Sequence, residues 1–296
     1  MKKKVIVGIG ILFIVIAAVL LKLLPYQVGD YLFDIFILFM MLIAGMEIYN
    51  LKVNTNKTPN KIMTFCYPIF YYLLVIIMNR FHMPIYFCIA IETLGLVVYV
   101  LFTILVSFLQ HEDKPFKVAG DTLEACVYPG FLLGLMIMIN HLDLLSGMPH
   151  FSFIFIVLIF TITMMTDTAA MLIGTLLRGP KLAPQISPNK TFSGAIGGLI
   201  GGVFGAAAVY GVFCAIPAFA AVFDIYEIKV YTFIILGVLA SVIGQAGDLF
   251  ESFLKRKAGV KDASNFFPGH GGMLDRIDAL TFVVCFMAIY LMVLLV

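Results

Sequence analysis

The chain has 296 residues, of which 62% are hydrophobic and 12% are charged. Soluble domains contain about half apolar and about a quarter charged residues, so this composition excludes an ordinary water-soluble domain and favours a membrane protein. The formal net charge of +2 indicates no particular partner, and we expect contact with the lipid bilayer and none with nucleic acid.

Long apolar runs predict the membrane-spanning helices, because a helix that crosses the hydrocarbon layer needs about 20 apolar residues. The first run follows Lys2, Lys3 and Lys4, and we interpret it as a retained helix, a cleaved signal peptide being the alternative. We predict an all-α integral membrane protein, a polytopic helical bundle of about nine transmembrane helices. The runs lie near 5–24, 32–50, 62–79, 85–109, 123–140, 151–173, 195–222, 230–250 and 279–296.

Lysine and arginine are unevenly divided between the two sides of such a bundle. With the N-terminus in the cytosol, sixteen of them fall on the cytosolic side and three, Lys22, Arg80 and Lys229, on the other. Cytoplasmic loops normally carry this excess. The loops 178–193 and 251–278 are therefore predicted to face the cytosol, where a polar pocket opens between the helices.

No soluble linker, repeat or low-complexity tract divides the chain. The longest polar interruptions follow the sixth and eighth predicted spans. We therefore separate an N-terminal region of about five spans, 1–150, from a C-terminal region, 151–296, that carries both polar loops and the expected catalytic site.

A carboxylate, Asp167, stands near the end of the sixth span between two threonines. A charged side chain at the centre of a membrane helix costs about 2.5–3.5 kcal/mol, and such residues usually face the bundle interior and have a function. We predict a functional aspartate here. The alternative is an interfacial side chain that reaches water.

Polar residues of the loop 178–193 come directly before a glycine-rich helix start. Ser187, Lys190 and Thr191 are the candidates, because hydroxyl groups cap helices and the free N–H groups of a helix start attract anions. The alternative is a solvated loop followed by close helix packing through the glycines.

A third group of polar residues surrounds the loop 251–278. Asp248, Ser252 and Lys255 share one helical face, and Asp275 and Asp278 follow at the start of the last span. Carboxylates from two helices suit Mg²⁺ together with substrate phosphates, so Asp248 and Asp275 are the candidate metal ligands. A structural network of ion pairs is the alternative.

The loop also contains the turn Gly269-His270-Gly271-Gly272. Its glycines permit positive φ and close approach of the backbone, as a phosphate-binding concavity requires. Taken alone, the histidine could equally be a turn residue without chemistry.

This segment resembles the signature of the phosphatidate cytidylyltransferases (CDP-diacylglycerol synthases). The matching residues are Ser252, Lys255, Arg256, Lys261, Asp262, Pro268 to Gly272, Asp275, Arg276 and Asp278. A second, partial resemblance covers 166–194, where Met171 replaces a usual aromatic residue and Ser193 replaces a usual glutamate. Over the first 150 residues the resemblance is only topological.

The resemblance implies transfer of the cytidylyl group of CTP to phosphatidate, giving CDP-diacylglycerol and pyrophosphate, in a bacterial plasma (inner) membrane. It implies Mg²⁺ as cofactor, a second cation being left open, and it leaves a homodimer open. The catalytic residues would be Asp248, Asp275, Lys255, Arg256, Arg276 and His270. The substrate-binding residues would be Asp167, Ser187, Lys190, Thr191, Ser252, Lys261, Asp262, Gly271, Gly272 and Asp278.

Two other functions are compatible with a polar pocket in a membrane protein. A CTP-dependent kinase of the polyprenol or dolichol type would transfer one phosphoryl group and release CDP. An ion-coupled transporter would use its intramembrane aspartates to line a pathway. Such transporters typically have broken helices at matching positions in two halves of the chain, and the sequence shows no such pair.

Overall fold

Helices dominate the structure, a computed structural model. It describes residues 2–24, 27–81, 83–110, 113–143 and 147–295, with the backbone alone for residues 2–6 and 85. Within these residues, eight helices are long and apolar enough to span a membrane. The prediction of an all-α, polytopic membrane protein is confirmed.

The helices and strands are numbered here in chain order. The first part of the chain contains α1 (Lys2–Leu21), α2 (Val28–Asn54), α3 (Lys61–Arg80), α4 (Ile85–Leu109), α5 (Pro115–Ala125) and α6 (Leu132–Asn140). The second part contains α7 (Phe151–Leu177), β1 (Lys181–Ala183), β2 (Ser187–Thr191), α8 (Phe192–Cys214), α9 (Pro217–Ile225), α10 (Val230–Lys257) and α11 (Leu274–Leu295).

Most of the predicted spans coincide with one helix each. The first predicted span corresponds to α1, whose apolar part Val7–Leu21 is shorter than the length expected of a membrane span. The fifth begins earlier than predicted, since α5 and α6 form one span, Pro115–Asn140. Between them the segment Cys126–Phe131 contains a kink, where Tyr128, directly before Pro129, is extended with φ −116° and ψ 119°.

The seventh predicted span, 195–222, is wrong at its end. Helix α8 stops at Cys214, and Pro217 begins the separate short helix α9. The physical reason is steric: a residue before proline avoids the helical region, and Ile216 is accordingly extended, with φ −108° and ψ 114°. The apolar sequence continues across this break, so hydropathy alone does not reveal it.

The chain forms two compact units. The first consists of the described residues within 1–145 together with 254–276, and the second consists of the described residues within 146–253 together with 277–295. In the first unit, α2 packs against α3 and α6. Phe33, Ile37 and Met41, spaced one helical turn apart on α2, are fully buried and form the centre of this contact.

In the second unit, α7 and α8 pack along their length through small residues. A Cβ atom at Gly201 would lie 2.4 Å from that of Ala169, and one at Gly202 would lie 1.8 Å from Oγ of Ser241. Glycine therefore lets the backbones of α7, α8 and α10 approach closely, as in other membrane helix pairs. The hydroxyl groups of Thr166 and Ser241 add a hydrogen bond of 2.8 Å between α7 and α10.

The loop 178–193 folds into an antiparallel hairpin of β1 and β2, with Lys181 paired to Thr191 and Ala183 to Ser187. Strand β2 leads directly into α8. The hairpin thus holds Lys190 and Thr191 at the N-terminus of that helix.

Candidate active site

A cavity of about 310 Å³ lies in the second unit. Helix α7, the hairpin, the start of α8 and helix α10 each contribute to its walls. Its polar lining residues are Asp167, Thr175, Asn189, Lys190, Thr191, Gln245 and Asp248. The convergence of a cation, two carboxylates and a helix N-terminus makes this cavity suitable for a phosphate-bearing ligand.

An ion pair joins the hairpin to α10 inside this cavity. Nζ of Lys190 lies 2.6 Å from Oδ2 of Asp248. The two side chains are 25% and 30% exposed, and Nζ of Lys190 is itself buried against the carboxylate.

The start of α8 forms a second wall of the cavity. Oγ1 of Thr191 accepts a hydrogen bond of 3.1 Å from the backbone N–H of Gly194, so this threonine is the N-cap that the sequence predicts. Gly194 must be glycine here, because a Cβ atom would lie 2.9 Å from the carbonyl oxygen of Ala170. Nε2 of Gln245 donates to the carbonyl oxygen of Ala195 at 3.2 Å and fixes α10 against α8.

Further carboxylates of the second unit lie within electrostatic reach of one another. Asp278 interacts with Asp248, Glu251 and Asp167. In the part of the chain that the structure describes, no group of three or more His, Cys, Asp or Glu side chains is arranged to hold a metal ion. Mg²⁺ commonly uses one or two carboxylates plus substrate phosphates and water, a donor set that Asp167 and Asp248 in the cavity fit.

In the first unit, the segment between α10 and α11 forms a tight turn. The backbone N–H of His270 donates to the carbonyl oxygen of Phe267 at 2.8 Å, with Pro268 and Gly269 at the two central positions. Gly269 has a φ of 78° and Gly271 has a φ of 81°, so both occupy backbone conformations that residues other than glycine rarely adopt. Backbone geometry therefore favours glycine at positions 269 and 271.

Asp275, at the start of α11, organises this segment. Its Oδ1 accepts from Nζ of Lys255 at 2.5 Å, and its Oδ2 accepts from the backbone N–H groups of Ala263 at 2.9 Å and Gly272 at 2.7 Å. Both side chains of the ion pair are nearly buried, at 10% exposure for Lys255 and 5% for Asp275. A carboxylate with three donors has little remaining capacity to bind a further ligand.

A comparison with known protein families decides the assignment of the chain. The model of the cytidylyltransferase family matches residues 2–294. The chain belongs to the cytidylyltransferase family.

The chain is also similar to individual curated proteins of this family. The chain is 41% identical over 139 residues to a phosphatidate cytidylyltransferase of Brucella suis, an alignment that covers 47% of each chain. It is 42% identical over 154 residues to one of Rickettsia felis, covering 51% of this chain and 66% of the relative. It is 38% identical over 131 residues to one of Staphylococcus saprophyticus, covering 44% and 45%. The chain therefore spans about half the length of most of these relatives.

The structure of this cytidylyltransferase-family chain brings four of the predicted site residues together. Asp167, Lys190, Thr191 and Asp248 line the cavity of the second unit. Ser187 lies in β2 of the same hairpin but is not among the lining residues. The second unit also contains Ser252, which is 8% exposed, and Asp278.

The other predicted site residues belong to the first unit. Gly272 and Asp275 form the network around Lys255, and Nη1 of Arg256 donates to the carbonyl oxygen of Val260 at 3.0 Å. The remaining residues of this group are Lys261, Asp262, His270, Gly271 and Arg276. Lys261, Asp262 and Arg276 are exposed. That Asp248 and Asp275 share one metal stays a prediction.

Sequence reasoning missed one carboxylate of the first unit, Glu47 on α2. Its exposed fraction is 3%, and it contacts the segment that carries the family signature. The signal was present in the sequence, because Glu47 is one of only two carboxylates, with Asp34, in the apolar span 32–50.

Proposed function

We propose that the protein transfers the cytidylyl group of CTP to phosphatidate. A phosphate oxygen of phosphatidate attacks the α-phosphorus of CTP and forms a new phosphorus–oxygen bond. The bond from that phosphorus to the oxygen bridging the α- and β-phosphates breaks, and pyrophosphate leaves with the electron pair. The products are CDP-diacylglycerol and pyrophosphate.

The Lys190–Asp248 pair in its cavity is the observation that carries this proposal. A membrane protein whose cavity combines a lysine, carboxylates and a capped helix N-terminus can hold nucleotide phosphates next to lipid. The family assignment narrows the reaction to cytidylyl transfer, and the similarity to phosphatidate cytidylyltransferases suggests phosphatidate as the acceptor.

The nucleophile needs no dedicated base. The second pKa of a phosphate monoester is about 6, so phosphatidate is largely dianionic at neutral pH. The barrier comes from bringing two anions together and from charge on the leaving pyrophosphate. We assign the neutralisation of these charges to Lys190, Lys255, Arg256, Lys261 and Arg276.

Mg²⁺ is part of the proposal. Asp248 of α10, with Asp167 of α7 in the same cavity, would hold it, and the ion would neutralise charge on the transferring phosphoryl group. For Asp275 we retain the predicted metal role as a proposal, next to its observed hydrogen bonds to the loop.

We further propose that the cavity and the loop 251–278 face the cytosol of a bacterium from its plasma membrane. The excess of cytosolic lysine and arginine supports this orientation. In a variant without the five native cysteines, a cysteine at Ser187 should react with an impermeant reagent only in opened membranes. Labelling of that cysteine in intact cells would contradict the orientation.

The reaction is tested with purified protein, phosphatidate, Mg²⁺ and CTP labelled either at the α- or at the γ-phosphate. Cytidylyl transfer puts the α label into the lipid and leaves the γ label in pyrophosphate, and the lipid product has the mass of CDP-diacylglycerol. A γ label in the lipid would instead show a CTP-dependent lipid kinase. Absence of both labels from the lipid would exclude both transfer reactions for this substrate.

A further inference from the structure

Glu47 is a nearly buried carboxylate in the last third of α2, within the apolar span predicted for residues 32–50. It lies on α2, and its exposed fraction is 3%. A carboxylate in such a place is costly, and intramembrane carboxylates usually face a specific partner. The partners of Glu47 all belong to the signature segment, more than 200 residues later in the chain.

Both carboxylate oxygens of Glu47 accept hydrogen bonds from this segment. Oε1 accepts from Oγ of Ser264 at 2.6 Å and from the backbone N–H of Met273 at 2.9 Å. Oε2 accepts from the backbone N–H of Leu274, the first residue of α11, at 2.6 Å. Glu47 therefore caps the start of α11 from another helix and satisfies N–H groups that a helix start leaves without partners.

The same carboxylate explains why residue 272 is glycine. A Cβ atom at Gly272 would lie 2.5 Å from Oε1 and 2.6 Å from Oε2 of Glu47. Gly272 also donates its N–H to Oδ2 of Asp275 at 2.7 Å. The backbone at Gly272 is thus held between two carboxylates, and a shift of Glu47 would be transmitted directly to Asp275 and its partner Lys255.

We propose that Glu47 is a positioning residue for cytidylyl transfer, an inference that rests on the proposed function. It acts through the segment 264–275 and does not touch the reacting atoms. Its negative charge is required, because an amide would turn an NH₂ group towards one of three donors and leave at least one N–H without an acceptor.

The test compares Glu47→Gln with a matched control, Glu92→Gln. Glu92, on α4 of the same unit, is also nearly buried, at 5% exposure, and accepts a hydrogen bond of 3.2 Å from the hydroxyl group of Tyr71. The amide oxygen of a glutamine at position 92 can still accept this hydrogen bond from Tyr71. A misplacement of about 1 Å at a catalytic group can cost about 100-fold in rate. We therefore expect Glu47→Gln to lower kcat by about 10- to 100-fold with a smaller change in KM, and Glu92→Gln to change kcat less than about threefold.

A double-mutant cycle separates positioning from a loss of folded protein. Gly272→Ala should be strongly impaired, because its new methyl group meets the Glu47 carboxylate. Glu47→Asp withdraws that carboxylate by one methylene, so adding it to Gly272→Ala should recover at least a few-fold of kcat. If the effects of Glu47→Asp and Gly272→Ala on kcat per folded molecule are simply additive, the close contact between these two residues is contradicted.

Hydrogen exchange of peptides covering 264–275 gives a readout that does not depend on activity. Exchange at Met273 and Leu274 should rise in Glu47→Gln and remain at the native rate in Glu92→Gln. An active native enzyme whose Glu47→Gln variant keeps full kcat overturns the positioning role. If the native protein is inactive but exchange at Met273 and Leu274 is faster in Glu47→Gln, the proposed function is wrong and the Glu47 contact is confirmed. If exchange at these residues is unchanged in Glu47→Gln, the contact itself is contradicted.

Discussion

Two lysine–aspartate pairs of predicted site residues have nearly the same length and very different surroundings. Lys190 and Asp248 lie 2.6 Å apart in the cavity of the second unit, where they are 25% and 30% exposed. Lys255 and Asp275 lie 2.5 Å apart in the first unit and are 10% and 5% exposed, and Asp275 accepts two further backbone hydrogen bonds. The first pair lines a cavity, whereas the second holds a loop in place.

Exposure decides what each pair contributes to stability. An exposed ion pair is worth about 0–1 kcal/mol, because water solvates its members when they separate. Loss of one member of a buried pair costs about 3–5 kcal/mol, because the other charge is left without compensation. Substitutions at the two aspartates should therefore affect folding and activity in different proportions.

The largest effect is expected for Asp275→Asn. It removes the charge opposite Lys255 and weakens the bonds to Ala263 and Gly272, so the variant should lose turnover and about 3–5 kcal/mol of stability. Turnover per folded molecule and the midpoint of thermal unfolding in detergent measure the two losses. A variant with a native midpoint would show that the pair is not a structural element.

A more selective effect is expected for Asp248→Asn. Turnover should fall strongly at all Mg²⁺ concentrations, since a proposed ligand of the ion is lost, while stability changes by about 1 kcal/mol or less. Asp143→Asn, at the predicted opposite side of the membrane, serves as the control and should retain turnover. Near-native activity of Asp248→Asn with Mg²⁺ would remove Asp248 from the proposed metal site.

The smallest effect is expected for the two departures from the family pattern. Met171 lines the cavity and is 62% exposed, and Ser193 lies at the start of α8, where its Oγ is 3.1 Å from Oγ1 of Thr191. Met171→Tyr with Ser193→Glu should change KM for CTP more than kcat, as expected of uniform binding interactions. If the native enzyme is inactive and gains activity only with both substitutions, the assignment of these two positions to nucleotide binding is contradicted.

The sequence predicted the class of fold and a hydroxyl cap at one helix start, because both leave local signals. Apolar runs of about 20 residues identify spanning helices, and Thr191 before a helix start identifies the N-cap that the structure contains. The pairing of Lys190 with Asp248 leaves no such signal, since it depends on how a hairpin folds against a helix 58 residues later. Hydropathy does not predict the end of α8, because the apolar sequence continues past Pro217, where the next helix begins.

Glu47 likewise has a local signal in the sequence but long-range contacts that leave no signal. A carboxylate in an apolar span indicates a functional residue, for Glu47 as for Asp167. Its partners, the backbone N–H groups of Met273 and Leu274, carry no side-chain signature. The contact therefore becomes visible only when α2 and the signature segment are seen together.

The binding of CTP with Mg²⁺ tests most directly whether the exposed pair is the ligand site. A ligand that binds the folded state alone raises stability by about 2.7 kcal/mol at 100 times its Kd, so saturating CTP should raise the midpoint of unfolding of the native protein. The account predicts that Lys190→Ala and Asp248→Asn lose most of this rise, while Asp143→Asn keeps it. A full rise in both cavity variants would place the nucleotide elsewhere and contradict the central claim.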